Sequence, residues 1–143
     1  MKASPNICVR PADWHIDGEV LRALREEVFI REQSVPAELE WDEFDSQSRH
    51  VLAVADTLPI GTGRLLPDGH VGRMAVLRAW RGMGAGSALL SSLMDIARAR
   101  GLQRVLLNAQ VRALPFYLRH GFKVEGKEFL EAGILHRRMW RDL

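Results

Sequence analysis

The chain alternates between short apolar runs and longer segments in which apolar residues recur every three or four positions. The apolar runs predict strands at residues 6–10, 50–56, 60–66, 71–76, 104–108, 122–125 and 134–140. The helical period predicts helices over residues 16–31, from about residue 86 to residue 100, and over residues 113–120. Asp13 is placed to cap the first helix, and Gly101 to end the second. Residues 33–48 break both patterns, which indicates a loop or a short extra helix.

This order of elements predicts an α/β fold with a mixed central sheet of about six to seven strands and helices on both faces. A helix joins the strands at residues 71–76 and 104–108, so these two strands are expected to run parallel. The other connections are short turns, which favour antiparallel neighbours. With 143 residues and no internal linker or repeat, residues 1–143 are expected to form a single domain.

Three glycines, Gly82, Gly84 and Gly86, occupy alternate positions between the 71–76 strand and the helix that follows it. Glycine lets a ligand approach the backbone closely but weakens a helix, so this placement favours contact with a ligand. The free N–H groups and the dipole at the helix start suit a phosphate. No lysine follows the glycines, as a P-loop requires, and the dinucleotide spacing G-x-G-x-x-G does not fit. The alternative is a glycine-rich corner that binds nothing.

The composition is that of an ordinary globular protein, with 47% hydrophobic and 27% charged residues. No apolar run approaches the ~20 residues of a membrane span, and no signal-peptide pattern is present, so a cytoplasmic protein without membrane attachment is expected. Cys8 is the only cysteine, which excludes an internal disulfide. The five histidines lack H-x-x-x-H spacing, so no metal site is expected.

Charge is distributed unevenly along the chain. Residues 1–70 hold 7 Lys and Arg against 13 Asp and Glu, whereas residues 71–143 hold 13 against 5. A basic second half suits a polyanionic ligand, and an acidic first half suits a cationic one, although the asymmetry is equally compatible with incidental surface charge. The arginines are scattered and form no basic run, so nucleic-acid binding is not expected. Five acids lie within residues 38–45, either around a binding site or on a solvated loop.

A second motif appears in residues 110–122. Gln110, Ala113, Tyr117, Gly121 and Phe122 follow the pattern N-x-x-A-x-x-x-Y-x-x-x-G-F, with glutamine in place of the first asparagine. The pattern R-x-x-G-x-G at residues 81–86 precedes it. Together the two motifs resemble the GNAT superfamily of N-acyltransferases, and most of residues 28–139 resembles its ElaA-like branch.

The resemblance implies that acetyl-CoA is the donor substrate. It implies that the pyrophosphate rests on the glycine loop and that the pantetheine arm lies between two diverging strands, pairing with the backbone of Met74 and Val76. A backbone N–H near Met74 or Ala75 would polarise the thioester carbonyl, and Tyr117 would protonate the leaving thiolate as general acid. The donor-binding residues implied are Met74, Ala75, Val76, Arg81, Gly82, Met83, Gly84, Ala85, Gly86, Ser87, Gln110, Phe116 and Tyr117.

The acceptor implied is a primary amine, free or on a peptide, which attacks the thioester directly. Glu32, His50 and His136 are candidates for the base that deprotonates it, and they are expected around the acceptor cleft with Trp41 as an apolar wall. The 38–45 acids would draw a cationic amine to this cleft. A non-catalytic acyl-CoA-binding or regulatory module is the alternative function, and a homodimer is left open.

Overall fold

A computed structural model describes residues 6–143, which contain seven strands and four α-helices. The strands are β1 (Ile7–Ala12), β2 (Arg49–Ala55), β3 (Leu58–Leu65), β4 (Val71–Val76), β5 (Arg104–Gln110), β6 (Lys123–Glu131) and β7 (Ile134–Asp142). The helices are α1 (Trp14–Arg25), α2 (Ala37–Glu40), α3 (Ala85–Ala99) and α4 (Leu114–Arg119). None of the helices in this part of the chain is long and apolar enough to cross a membrane.

The seven strands form two antiparallel sheets rather than one continuous sheet. The first has the order β1-β2-β3-β4, and the second has the order β5-β7-β6. They meet at one parallel bridge, between His70 and Leu106. The predicted parallel relationship of the strands joined by α3 is therefore confirmed, and the predicted mixed sheet takes the form of two sheets joined at this bridge.

Helices cover both faces of the first sheet, as predicted. Successive residues of a strand point to opposite faces, and β2 shows this clearly. Val51, Ala53 and Ala55 pack in the main core with the apolar face of α3. Leu52 instead packs on the other face with Leu21 and Leu24 of α1. The sheet is consequently buried on both sides.

The first helix changes geometry towards its end. Asp13 caps its start as predicted, because the carboxylate accepts hydrogen bonds from the backbone N–H groups of His15 and Ile16. From Glu26 to Glu32 the helix continues as a π-helix, closed by a hydrogen bond from the N–H of Gln33 to the carbonyl of Val28. Such wide turns are rare and occur often at functional sites.

A buried charge network lies under α1. Its members are Arg25, Glu40, Asp42, Asp45, Arg64 and Arg73. Arg25, only 1% exposed, donates from Nε to Glu40 at 2.7 Å and from Nη1 to Asp45 at 2.7 Å. Arg64 binds Asp45 at 2.8 Å and Asp42 at 2.7 Å. Three of the acids expected to attract a cationic substrate therefore have their charge balanced by arginines.

Four strands, β1, β5, β6 and β7, end later than predicted. β1 continues through Pro11, which is paired with Val51. Because β1 is the edge strand of its sheet, the missing N–H of this proline is tolerated. β6 runs to Glu131, with an irregular register between Glu125 and Phe129.

Candidate active site

A cleft opens between β4 and β5. Near the bridge, the N–H of Leu106 donates to the carbonyl of Gly69 at 3.1 Å. Beyond this point no backbone pairing joins β4 to β5 in the described residues. The two strands diverge as predicted, so β4 has one free edge.

The backbone N–H and C=O groups of successive β4 residues point alternately towards β3 and towards this free edge. The N–H of Leu77 donates to the carbonyl of Ile60 in β3, and a Cβ added to Gly61 would lie 2.9 Å from the carbonyl oxygen of Ala75. Ala75 therefore faces β3, which corrects its expected role at the cleft. By alternation, the polar backbone groups of Met74 and Val76 point into the cleft.

A bulge precedes Met74. The register between β3 and β4 shifts between Thr62 and Arg64, opposite Arg73, which has a positive φ of 50°. Bulges of this kind bend a strand and are frequent beside active sites. The side chain of Arg73 restrains the bulge, because it donates hydrogen bonds to the carbonyl of Glu40 at 3.1 Å and to the carboxylate of Asp42 at 3.2 Å.

The glycine loop leaves the start of α3 open. Gly82 and Gly84 have φ values of 77° and 89°, and a Cβ at either position would have no atom within 4 Å. Gly84 is the N-terminal cap residue, and no side chain caps the helix. The first N–H groups of α3 therefore remain available to a ligand.

A cavity of about 350 Å³, the donor cavity, adjoins this helix start. Its lining includes Val76, Arg81, Gly82, Gly84, Ala85, Gly86, Ser87 and Phe116, all predicted to bind the donor, together with Trp80 and Arg119. Met83 is the exception in the loop, because it is 50% exposed and does not line the cavity. An open cradle of this kind, with free amides and two positive-φ glycines, fits a diphosphate.

Arg81 makes contacts that the sequence does not predict. Its guanidinium binds both carboxylate oxygens of Glu32, each at 2.6 Å, and its Nε donates to the carbonyl of Val76 at 2.9 Å. The Arg81 hydrogen bonds lower the pKa of Glu32. Glu32 is therefore held ionised in an ion pair, which makes it a weak base.

Tyr117 is buried in α4. Its ring contacts those of Phe116 and Phe122 edge to face, at centroid distances of 5.0 and 5.7 Å. Within residues 6–143 its hydroxyl has no hydrogen-bond partner. Burial raises the pKa of this phenol to about 12, so the hydroxyl stays protonated and can donate.

A second cavity, of about 250 Å³ and here called the acceptor cavity, lies beside the end of the π-helix. Glu32, Gln33, Arg78, Arg112 and Ile134 line it. Because Arg81 lines the donor cavity and its partner Glu32 lines the acceptor cavity, this ion pair lies between the two.

Gln110 connects β5 to the acceptor cavity. Its side-chain amide donates to the side-chain oxygen of Gln33 at 2.8 Å and accepts from Nε of Arg112 at 3.1 Å. The polar ends of this glutamine are thus engaged by protein groups.

His136 lies opposite Gln110 in the pairing of β5 with β7, and the residue is buried. Its Nδ1 is 2.7 Å from the carbonyl of Ile134. A carbonyl only accepts, so Nδ1 carries the proton and Nε2 is left to act as a base. Nε2 is 3.5 Å from a carboxylate oxygen of Glu131.

Comparison with known proteins decides the family. Residues 15–143 match the family model described as an acetyltransferase (GNAT) domain. The chain belongs to the GNAT acetyltransferase family. It is 42% identical over 123 residues to YjcF of Bacillus subtilis, an uncharacterized N-acetyltransferase, covering 83% of this chain and 88% of YjcF.

Solved structures agree with this assignment. An acyl-CoA N-acyltransferase from Pseudomonas aeruginosa superimposes with a TM-score of 0.84 at 29% identity, covering 95% of this chain and 99% of that one. ElaA of Escherichia coli gives a TM-score of 0.84 at 26% identity, with coverage of 95% and 99%. The chain is thus an acyl-CoA-dependent GNAT acetyltransferase.

Two residues predicted on the acceptor side of this GNAT domain lie elsewhere. His50 is buried, with Nε2 2.8 Å from the carbonyl of Asp45 and its ring stacked on Trp14. Burial lowers the pKa of His50. Trp41 stacks over the guanidinium of Arg25 at 5.2 Å. Neither lines a cavity described above, and both pack against the charge network.

The two arginines of the acceptor cavity were missed in the sequence. A usable signal was present, because Arg78 follows the end of β4 by two residues and Arg112 follows the end of β5 by two residues. The carboxyl ends of neighbouring parallel strands meet at one edge of a sheet, where ligands commonly bind.

Among the described residues, no group of three or more His, Cys, Asp and Glu side chains could hold a metal ion.

Proposed function

We propose that this GNAT domain transfers the acetyl group of acetyl-CoA to a primary amine by direct attack. The observation that carries the proposal is the free N-terminus of α3 at the mouth of an open β4–β5 cleft. The helix start suits the donor's diphosphate, and the free edge of β4 suits an extended arm that pairs like an added strand.

The contact between Arg81 and Val76 is compatible with donor binding. The carbonyl of Val76, which the arm would use for pairing, already accepts a hydrogen bond from Arg81. A carbonyl oxygen has two lone pairs, so it can accept a second hydrogen bond from the arm while Arg81 keeps its ion pair with Glu32.

Acetyl-CoA supplies an activated thioester. The N–H of Met74 faces the cleft and would donate to the acyl carbonyl oxygen, where negative charge develops. The hydroxyl of Tyr117 would give its proton to the departing sulfur. Its high pKa and lack of a protein partner keep that proton available.

An amine that is protonated near neutral pH must lose a proton before it attacks. His136 is the better of the two remaining base candidates. Its Nε2 makes no hydrogen bond in the described residues, although it lies 3.5 Å from the carboxylate of Glu131, while Glu32 is committed to Arg81. We assign the base to His136, acting directly or through a water molecule.

An acceptor screen tests this proposal. Purified protein and acetyl-CoA are incubated with amino acids, polyamines, aminoglycosides and peptides, and released thiol is measured. Thiol release that depends on an acceptor supports acetyl transfer. Calorimetric binding of acetyl-CoA without release for any amine would contradict the proposal and favour a module that only binds the donor.

A further inference from the structure

The acceptor cavity has a charge opposite to that expected from the acidic first half of the chain. Its charged lining consists of Arg78, Arg112 and Glu32. Glu32 is neutralised by Arg81 through two hydrogen bonds of 2.6 Å. The cavity is therefore left with two guanidinium groups.

Three of the five acids that would have favoured a cationic acceptor, Glu40, Asp42 and Asp45, are bound to arginines, and none of the five lines the acceptor cavity. Glu40 and Asp45 are each only 3% exposed, and both are bound to arginines of the charge network. They form part of the support beneath α1 and do not line the acceptor cavity.

Both guanidinium groups retain unused donors. Arg112 is oriented through its Nε, which donates to Gln110, and its two terminal nitrogens have no partner among residues 6–143. Arg78 is 80% exposed in its side chain and is 3.6 Å from Glu32, too far for a hydrogen bond. A guanidinium with free terminal donors matches a carboxylate or phosphate.

We infer that the acceptor carries an anionic group, a carboxylate or phosphate, which Arg78 and Arg112 bind in the acceptor cavity. The acceptor is then an acidic amine, whose anion is held in this cavity while its amine reaches the thioester in the β4–β5 cleft. This inference rests on the proposed amine acetylation and names the substrate class that it would use.

Direct binding is the first test. Phosphoethanolamine and ethanolamine differ only in the phosphate, and each is titrated by calorimetry into the CoA-saturated protein. We expect phosphoethanolamine to bind at least about tenfold more tightly than ethanolamine, and Arg112→Gln and Arg78→Gln each to weaken it by about tenfold or more. Arg100→Gln, at the far end of α3, is the matched control and should change nothing. Equal binding of these two amines together with equal KM values in the carboxylate pair described below, or full affinity in both cavity variants, would overturn the inference.

Turnover is the second test and separates carboxylate from phosphate. Acetyl transfer to 4-aminobutyrate is compared with transfer to 4-aminobutanamide, and transfer to phosphoethanolamine with transfer to ethanolamine. The preferred anion should show the lower KM, and the two cavity variants should remove that preference, whereas Arg100→Gln should retain it. Equal KM values within both pairs would overturn the inference while amine acetylation stands. Arginine-dependent binding of phosphoethanolamine without thiol release would support the anion site and refute acetyl transfer to this acceptor class.

Discussion

Replacing Tyr117 with phenylalanine removes one hydroxyl group and tests the proton donor directly. That hydroxyl has no hydrogen-bond partner in the described residues, so its loss leaves no polar group unsatisfied. We expect the free energy of unfolding to change by less than about 1 kcal/mol. The ring contacts with Phe116 and Phe122 are retained, so donor affinity should also be unchanged.

The expected effect on catalysis is large. A positioned general acid contributes roughly 10²- to 10⁴-fold to the rate, so kcat should fall by at least about 100-fold in Tyr117→Phe. The assay is thiol release at saturating acetyl-CoA, with donor affinity measured separately by calorimetry. Unchanged kcat, or an equal loss of donor affinity, would refute the role of this hydroxyl as the acid.

The pKa of Tyr117 adds a pH test. A group with a pKa of about 12 is about 1% ionised at pH 10, whereas an ordinary phenol with a pKa of about 10 would be half ionised there. Loss of the proton from Tyr117 should therefore not reduce kcat of the wild-type enzyme up to pH 10. A fall in kcat centred near pH 10 that is absent from Tyr117→Phe would show that burial does not raise this pKa.

Three further predictions concern the loop, the base and the charge network. Gly84→Glu should reduce acetyl-CoA affinity more than about 100-fold, because its carboxylate repels the diphosphate. Gly84→Ala is the control, because it strains the backbone in the same way but adds no charge. Equal calorimetric affinities of the two variants for acetyl-CoA would contradict the assignment of this loop to the diphosphate. His136→Ala should lower kcat/KM by at least about 100-fold while leaving acetyl-CoA affinity unchanged, and an unaltered kcat/KM would exclude it as the base. Arg25→Met should lower the free energy of unfolding, measured in urea, by about 3–5 kcal/mol, because it leaves buried carboxylates uncompensated. Arg10→Met is the control: it removes the exposed ion pair with Asp17 and should lower this free energy by at most about 1 kcal/mol. Desolvation raises the pKa of Glu40. The stability lost in Arg25→Met should therefore shrink as the pH falls through this pKa, because a protonated carboxyl group no longer needs a counter-charge. A loss of stability that does not depend on pH would contradict this explanation.

Features that depend on local pattern could be predicted from the sequence. Asp13 capped the expected helix, β4 had the expected bounds, and α3 ended before Gly101. The cleft was predicted through the family resemblance, which places a crossover helix between two diverging strands. The helix cap, the bounds of β4 and the end of α3 are each encoded by residues that are neighbours in the sequence.

Features that depend on distant partners could not be predicted. The acids of residues 38–45 form an obvious run, but Arg25, Arg64 and Arg73, which neutralise three of them, come from α1, β3 and β4. Only folding brings these charges together, so the sequence alone predicts either a binding-site lining or a solvated loop for this run. The pairing of Arg81 with Glu32 spans 49 positions and was missed for the same reason.

The bulge at Arg73 links the charge network to the chemistry. A non-glycine residue at positive φ carries backbone strain of about 1–3 kcal/mol, and here that strain is held one residue before the amide proposed to polarise the thioester. The restraint comes from Glu40 and Asp42, through the side chain of Arg73. Substitutions in that acidic segment can therefore misalign the Met74 N–H and slow turnover without touching either substrate. Screens that map activity along the chain should find a sensitive region there that imitates a binding site.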